Sequence, residues 1–472
     1  MKKITLLGAG SGFTQPLFTD ILNIEGLDAG VIGLVDIDAR RLEINERLMN
    51  RVIELMGKTG WRVEASTDRT EVLPGTDYVI NTIEVSGEKC VRWDYEIPMK
   101  YGVDQCIGDT IGPGGILKAL RTVPVWLEIL KDVERLCPGA LVMNYTNPMS
   151  IMSLASVRST EMPFVGLCHS VQGTSRLIAR LAEVPHEELV FKCGGLNHMA
   201  WFTELRWKGK DVYPRLHAAM EDEEKYEQEP VRLEMMKEFG YFVTESSGHF
   251  SEYVPYFRKR KDVMKQYCRD GYRGESGIYS RSWPKWRKDL DKKRRAMADG
   301  KMDPVLTRGF EYASDIIEAH VFDRPKIVYA SVANTGLIPN LSQDATCEVA
   351  VLVDSRGFSP TYFGRLPEQV AALCRSNLSV FELVVEGILS EDAEAVIHGL
   401  MVDPLTAAVC SPAEARAMAR ELFEAERRYI PRWCQKKRRV RKVQLTGAKK
   451  RKRSKGGAEE VSSMAARGTK KS

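Results

Sequence analysis

Residues 2–13, KKITLLGAGSGF, carry the decisive reading of the fold. Ile4, Leu6 and Leu7 give a short apolar strand that runs into Gly8-Ala9-Gly10-Ser11-Gly12, and a helical pattern follows over 16–24. A second apolar run, 31–35, stops at Asp36, where a nucleotide-binding unit needs its carboxylate. Gly8, Gly10 and Gly12 let the backbone turn tightly and approach a pyrophosphate seated at the helix N-terminus. Ser11 lies within that turn, and Asp36 is the expected acceptor for ribose hydroxyls, which favours NAD over NADP. Phe13 stands where the third glycine of GxGxxG would fall. Further apolar strands at 78–82, 141–144 and 164–167 alternate with helical patterns such as 116–136. That alternation predicts an α/β protein whose N-terminal domain is a Rossmann-like, doubly wound parallel sheet.

The expected organisation is an NAD-binding Rossmann-like domain over 1–195 and a C-terminal mixed α+β domain over 196–434, followed by a basic tail, 435–472. The second domain contains helical patterns at 367–389 and 412–428 and strands at 326–331 and 346–353, and is expected to supply the substrate wall and oligomer contacts. The formal net charge of +5 divides sharply, with +13 on residues 435–472 and −8 on the rest. Such a tail, poor in large apolar residues, is expected to be disordered. It lacks the interleaved aromatic residues that stack on bases, and the acidic body argues against nucleic acid as a substrate, leaving only nonspecific contact by the tail. At 472 residues and 43% hydrophobic content, the chain can bury a large core. No window is long and apolar enough to span a membrane, and Met1-Lys2-Lys3 leads straight into the first strand without a secretory pattern, so a cytoplasmic location is expected. Ten cysteines are scattered without any CxxC, which suits reduced thiols.

In open α/β sheets, ligands gather at the carboxyl ends of the strands. Polar clusters fall at those ends: residues 81–84, 108–115, 144–148 and the pair Cys168-His169. Asn197-His198 follows a later apolar strand. Taken alone, Cys168 and His169 read first as packing residues, with metal ligands or a nucleophile and its base as the other readings, and their place at a strand end among these clusters moves them to site residues. The dyad is disfavoured because neighbours on a strand point to opposite faces. His249, four residues before Tyr253, is the other histidine with a notable setting.

The motifs GAGS (8–11), VDID (35–38), DTIGPGGILKALRT (109–122), NYTNPM (144–149), GLCHSVQGT (166–174), GLNHMAWF (195–202) and GYFVTESSGHFSEYVPYF (240–257) together resemble glycoside hydrolase family 4. These are NAD- and manganese-dependent glycosidases, and the CHSV form at 168–171 is similar to the α-galactosidase branch. The resemblance runs from about residue 3 to about residue 434. It implies hydrolysis of a small α-galactoside by oxidation at carbon 3 of the sugar, elimination, water addition and re-reduction, instead of the two-carboxylate mechanism. Cys168 and His198 are then the ligands of Mn²⁺, Tyr253 the base for the proton on carbon 2, and Asn147 a partner of the sugar hydroxyls. His169 is the acid for the leaving oxygen, with Asp109 as the runner-up. A homo-oligomer, dimer or tetramer, is expected. The remaining alternatives are an α-galacturonidase or α-glucosidase of the same family and, from other classes, an NAD-dependent dehydrogenase or a nucleotide-binding protein without activity.

Overall fold

The computed structural model describes residues 1–435, and these pack as one compact unit. The tail read as disordered, 436 onward, lies outside the described residues. Six strands form the first half: β1 (Lys2–Leu7), β2 (Ala29–Val35), β3 (Gly60–Ser66), β4 (Tyr78–Asn81), β5 (Leu141–Asn144) and β6 (Phe164–Leu167). All five pairings among them are parallel, in the spatial order 3-2-1-4-5-6 of a doubly wound nucleotide fold. β1 is buried along its core-facing length and flanked by helices such as Thr14–Leu22 and Gly112–Leu136, which explains its continuous apolar sequence.

Seven more strands follow: β7 (Leu189–Leu196), β8 (Met199–Trp207), β9 (Lys210–Asp211), β10 (Phe242–Val243), β11 (Lys326–Ala333), β12 (Thr346–Asp354) and β13 (Gly357–Pro360). They extend the same sheet. β11 pairs antiparallel with the outer side of β6, through Ala330 with Leu167 and Ser331 with Gly166, and covers an edge that would otherwise present unpaired backbone groups. The order then continues β12, β7, β8, β10, with antiparallel pairing throughout. The division expected at 195/196 therefore falls at the end of β7, inside a continuous sheet.

Other expectations shift by a few residues. The helix read at 116–136 begins at Gly112, so Gly112, Gly114 and Gly115 form its first turn instead of a loop. The helix read at 16–24 is Thr14–Leu22. β3 and the long basic helix Ile278–Ala298 were not anticipated. A buried ion cluster ties the C-terminal helices to the first half: Arg121, on Gly112–Leu136, meets Asp94 at 2.8 Å and also Glu426, all three being buried. No helix among the described residues is long and apolar enough to cross a membrane.

Candidate active site

The glycine turn sits at the carboxyl end of β1, beside β4, where the direction of strand order reverses. Gly8 has φ +81°, and a Cβ there would meet the Thr82 carbonyl carbon and oxygen at 2.7 Å. Only glycine lets the turn pass the end of β4 so closely. The Gly10 N–H donates to Asp36 Oδ2 at 2.7 Å, and the Asp38 N–H donates to Asp36 Oδ1 at 2.8 Å. The helix Thr14–Leu22 begins directly after the turn. A left-handed glycine, a carboxylate held at the tip of β2 and a following helix N-terminus fit a dinucleotide.

A second constellation lies past the end of β6. Cys168 and His169, just beyond the strand, diverge. Cys168 Sγ lies 3.2 Å from His198 Nε2, and that nitrogen lies 3.2 Å from Glu245 Oε2. Potential ligand atoms of Cys168, His198 and Glu245 all fall within 4.8 Å of one another. His198 occupies the tip of the β7–β8 hairpin, in a two-residue link between Leu196 and Met199, with φ +63°. Glu245 has φ +75°. Such left-handed conformations in non-glycine residues cost about 1–3 kcal/mol each and persist where surrounding structure imposes them. Here Asn197 anchors the hairpin tip by donating to Glu348 Oε2 at 2.8 Å, while Ser246, next to Glu245, caps the short helix Ser247–Phe250. A thiolate, an imidazole and a carboxylate brought to one point fit a divalent cation. The carboxylate suits Mn²⁺ better than sulfur and nitrogen alone would.

Tyr253 Oη lies 3.1 Å from His198 Nδ1, so one imidazole touches the thiol and carboxylate on one side and the phenol on the other. Burial pushes the Tyr253 phenol well above its ordinary value, reinforced by Glu245 and Asp109. Burial would hold His198 neutral, but Glu245 and Cys168 outweigh it and push its pKa up to about 10. Glu245 is correspondingly held well below the usual carboxylate range, against its own burial, by His198 and His249.

Asp109 joins this pocket. Its Oδ2 accepts from Asn147 Nδ2 at 3.3 Å and Oδ1 lies 3.5 Å from His249 Nε2, with Lys118 Nζ 3.4 Å from Oδ2. Burial opposes ionisation, but Lys118 and His249 prevail and lower its pKa to about 2. His249 is buried, its ring 4.8 Å from that of His198 and 5.5 Å from that of Tyr253, and its Nε2 has no hydrogen-bond partner among the described residues. The convergence is braced by Glu252, whose buried carboxylate accepts from the N–H groups of Cys106, Ile107 and Gly108 at 2.6, 2.6 and 3.0 Å. It thereby fixes the Tyr253 segment to the loop that presents Asp109. His169 faces elsewhere. Its Nε2 meets Glu311 Oε2 at 2.9 Å, and its ring stacks on Phe13 and meets Phe310 edge-on.

Sequence reasoning missed Glu245 and Glu252. Glu245 had one signal, an acid four residues before His249 in a polar turn. Glu252 had none, because three backbone donors from a segment over 140 residues away leave no mark beside it.

The model of the family 4 glycosyl hydrolases matches residues 3–184, and that of the family 4 glycosyl hydrolase C-terminal domain matches residues 193–406. An α-galactosidase of Bacillus subtilis (strain 168) is 36% identical over 440 residues, covering 92% of this chain and 100% of that protein. An α-galactosidase of Rhizobium meliloti (strain 1021) is also 36% identical over 440 residues, covering 92% and 90%. A 6-phospho-α-glucosidase from gut microorganisms, solved in complex with NAD and Mn²⁺, superposes with a TM-score of 0.76 at 20% identity, covering 91% of this chain and 99% of that one. At that identity the superposition speaks for the fold alone.

Proposed function

The chain belongs to family 4 of the glycosyl hydrolases, and from that premise we propose that it is an α-galactosidase working with NAD and a divalent cation, Mn²⁺. The observation that carries the reading is the meeting of Cys168, His198 and Glu245 around one point, with Tyr253 on the far nitrogen of His198. Neither a degenerate binding protein nor a simple dehydrogenase needs that combination. When bound, NAD supplies the hydride acceptor and donor for carbon 3 of the sugar, and the cation polarises the sugar's 2- and 3-oxygens.

The residues of the chain have separate tasks. Gly8, Gly10, Ser11, Gly12 and Asp36 would hold the dinucleotide, and Cys168, His198 and Glu245 the cation. Tyr253 Oη would take the proton from carbon 2 as the phenolate, a form that burial and Glu245 disfavour in the bare pocket and that the positive charge of a bound cation would favour. Asn147, already turned to Asp109, hydrogen-bonds the sugar hydroxyls. Between the two acid candidates, position is weighed before pKa. Asp109 shares the pocket with Asn147 and His249, whereas the imidazole of His169 is engaged with Glu311 beside the glycine turn. Asp109 is therefore the donor to the leaving oxygen in this reading. Its low pKa belongs to a carboxylate in contact with Lys118, a contact that a glycosidic oxygen entering beside it would weaken.

The test is hydrolysis of an aryl α-galactoside by protein stripped of nucleotide and metal, then supplied with NAD⁺, Mn²⁺ and reductant separately and together, with the α-galacturonide and α-glucoside as comparisons. Turnover should need both additions, consume no net NAD⁺ and favour the galactoside. Full-rate cleavage after exhaustive removal of nucleotide would sink the reading. Asp109→Asn should slow poor leaving groups far more than activated aryl ones, and His169→Ala should not.

A further inference from the structure

The long basic helix Ile278–Ala298, contributed by the second half of the chain, lies against the helix Ala39–Leu55 that follows β2 and reaches the glycine turn. Arg294, buried, donates through Nη1 to the Gly10 carbonyl at 2.7 Å, and Leu290 Cδ1 lies 3.5 Å from where a Cβ on Gly12 would stand. Gly10 is also where Asp36 and Arg41 converge, since a Cβ on it would meet Asp36 Oδ2 at 2.7 Å and Arg41 Cβ at 3.1 Å. Arg41 and Arg294 thus both reach the turn whose Gly10 N–H holds Asp36, Arg41 with its Nε also 3.7 Å from Asp38 Oδ2. Both are tied to one residue: Asp291 Oδ2 meets Arg41 Nη2 at 2.6 Å, and Asp291 Oδ1 accepts from Arg294 Nη2.

Cations at this position are what a 2′-phosphate requires, and a guanidinium grips phosphate through paired N–H donors. Here one Nη of each guanidinium meets the Asp291 carboxylate, and Arg294 gives its other Nη to the Gly10 carbonyl. Resting on the reading that residues 8–12 and Asp36 hold the dinucleotide, we propose that Asp291 is a coenzyme-selecting residue, which favours NAD over NADP by occupying Arg41 and Arg294. Asp36 repels the 2′-phosphate directly, and Asp291 removes the two groups that could compensate. The selection is therefore divided between the end of β2 and a helix some 250 residues later, which a reading of Asp36 alone does not reveal.

Calorimetric titration of the metal-free protein with NAD⁺ and NADP⁺ tests this without reference to turnover. Asp291→Asn, and Asp291→Ser as a companion should the amide variant fail to fold, should raise affinity for NADP⁺ relative to NAD⁺. The gain should be about ten- to a hundredfold, the range of one or two charge-assisted hydrogen bonds. Adding Arg41→Gln should take most of that gain away. Asp36→Ala alone should lose NAD⁺ affinity with little gain for NADP⁺, because the arginines remain occupied. An unchanged ratio in both Asp291 variants, or equal weakening of both coenzymes, overturns the proposal and leaves Asp291 a brace for the helix. If the unaltered protein binds neither coenzyme, the dinucleotide reading itself falls and takes this one with it, an outcome distinct from an unchanged ratio.

Discussion

The glycine turn and the pocket beyond β6 sit at the same carboxyl edge of one sheet, yet they are assembled in opposite ways. Gly8, Gly10 and Gly12 are neighbours in sequence, and Asp36 is one β-α-β unit away, bound to the Gly10 N–H. The pocket draws Asp109, Asn147, Cys168, His198, Glu245 and Tyr253 from separate connections, with two of its residues at positive φ. A local site depends on backbone shape, so its residues are replaceable only where no Cβ intrudes. A convergent site depends on side-chain chemistry held by remote braces such as Glu252 and Asn197.

That contrast predicts the largest effects in the pocket. Cys168→Ser, His198→Ala and Glu245→Gln should each lower turnover by on the order of 10²–10³-fold, the loss typical when a group acting on developing charge is removed. NAD⁺ affinity, measured by titration, should stay within about twofold in the same variants, since none of the three touches the glycine turn. A parallel loss of NAD⁺ binding would mean that the two regions are one unit.

Next comes a pH effect at the base of the pocket. Asp403, fully buried, caps the helix Pro404–Val409 and lies beside Gly112, and burial pushes its pKa up to about 6. The folded state then binds a proton that the unfolded state releases near pH 4. The contribution of Asp403 to stability should fall as pH rises from about 4 through about 6, by about 3 kcal/mol, alongside that of Glu348, whose carboxyl is pushed by burial up to about 7. Urea unfolding across that range should show the slope, and Asp403→Asn should make it shallower. An equally steep slope in both proteins would remove Asp403 as a cause.

In the glycine turn the effects are smaller. Asp36→Ala should weaken NAD⁺ by about 1.5–3 kcal/mol through lost charge-assisted hydrogen bonds. Unaltered affinity would move the nucleotide elsewhere. Gly8→Ala should cost about 1–3 kcal/mol of stability by urea unfolding, from a positive φ and the collision with the Thr82 carbonyl. If alanine is tolerated at Gly8, the turn is less constrained than its geometry implies.

The legibility of each region follows from the same contrast. The strands β1 and β2, the turn and Asp36 were readable because apolar runs, glycines and a terminal acid record local backbone requirements in consecutive residues. Helix 112–136 was read short because three glycines and a proline resemble a loop until the rest of the molecule packs around them. Cys168, His198 and Tyr253 were singled out through motif resemblance and strand-end position. Glu245 went unremarked because an acid in a polar turn is ordinary until His198 arrives beside it. His169 was read as the acid ahead of Asp109, and only their partners, Glu311 and Phe13 for the one and Asn147 and His249 for the other, reverse that order in the proposed function.

By itself, then, the sequence determined a parallel nucleotide fold with its glycine turn and Asp36 at the tip of β2, and the family to which the chain belongs. Tertiary structure decided that the second half extends the same sheet, that Glu245 meets Cys168 and His198, and that Asp291 meets Arg41 and Arg294 near the glycine turn. The reason is range. Strand periodicity, turns and helix starts are governed by interactions within a few residues, whereas a carboxylate's role is set by the charges brought next to it, and here His198 reaches Glu245 from 47 residues away and Arg41 reaches Asp291 from 250.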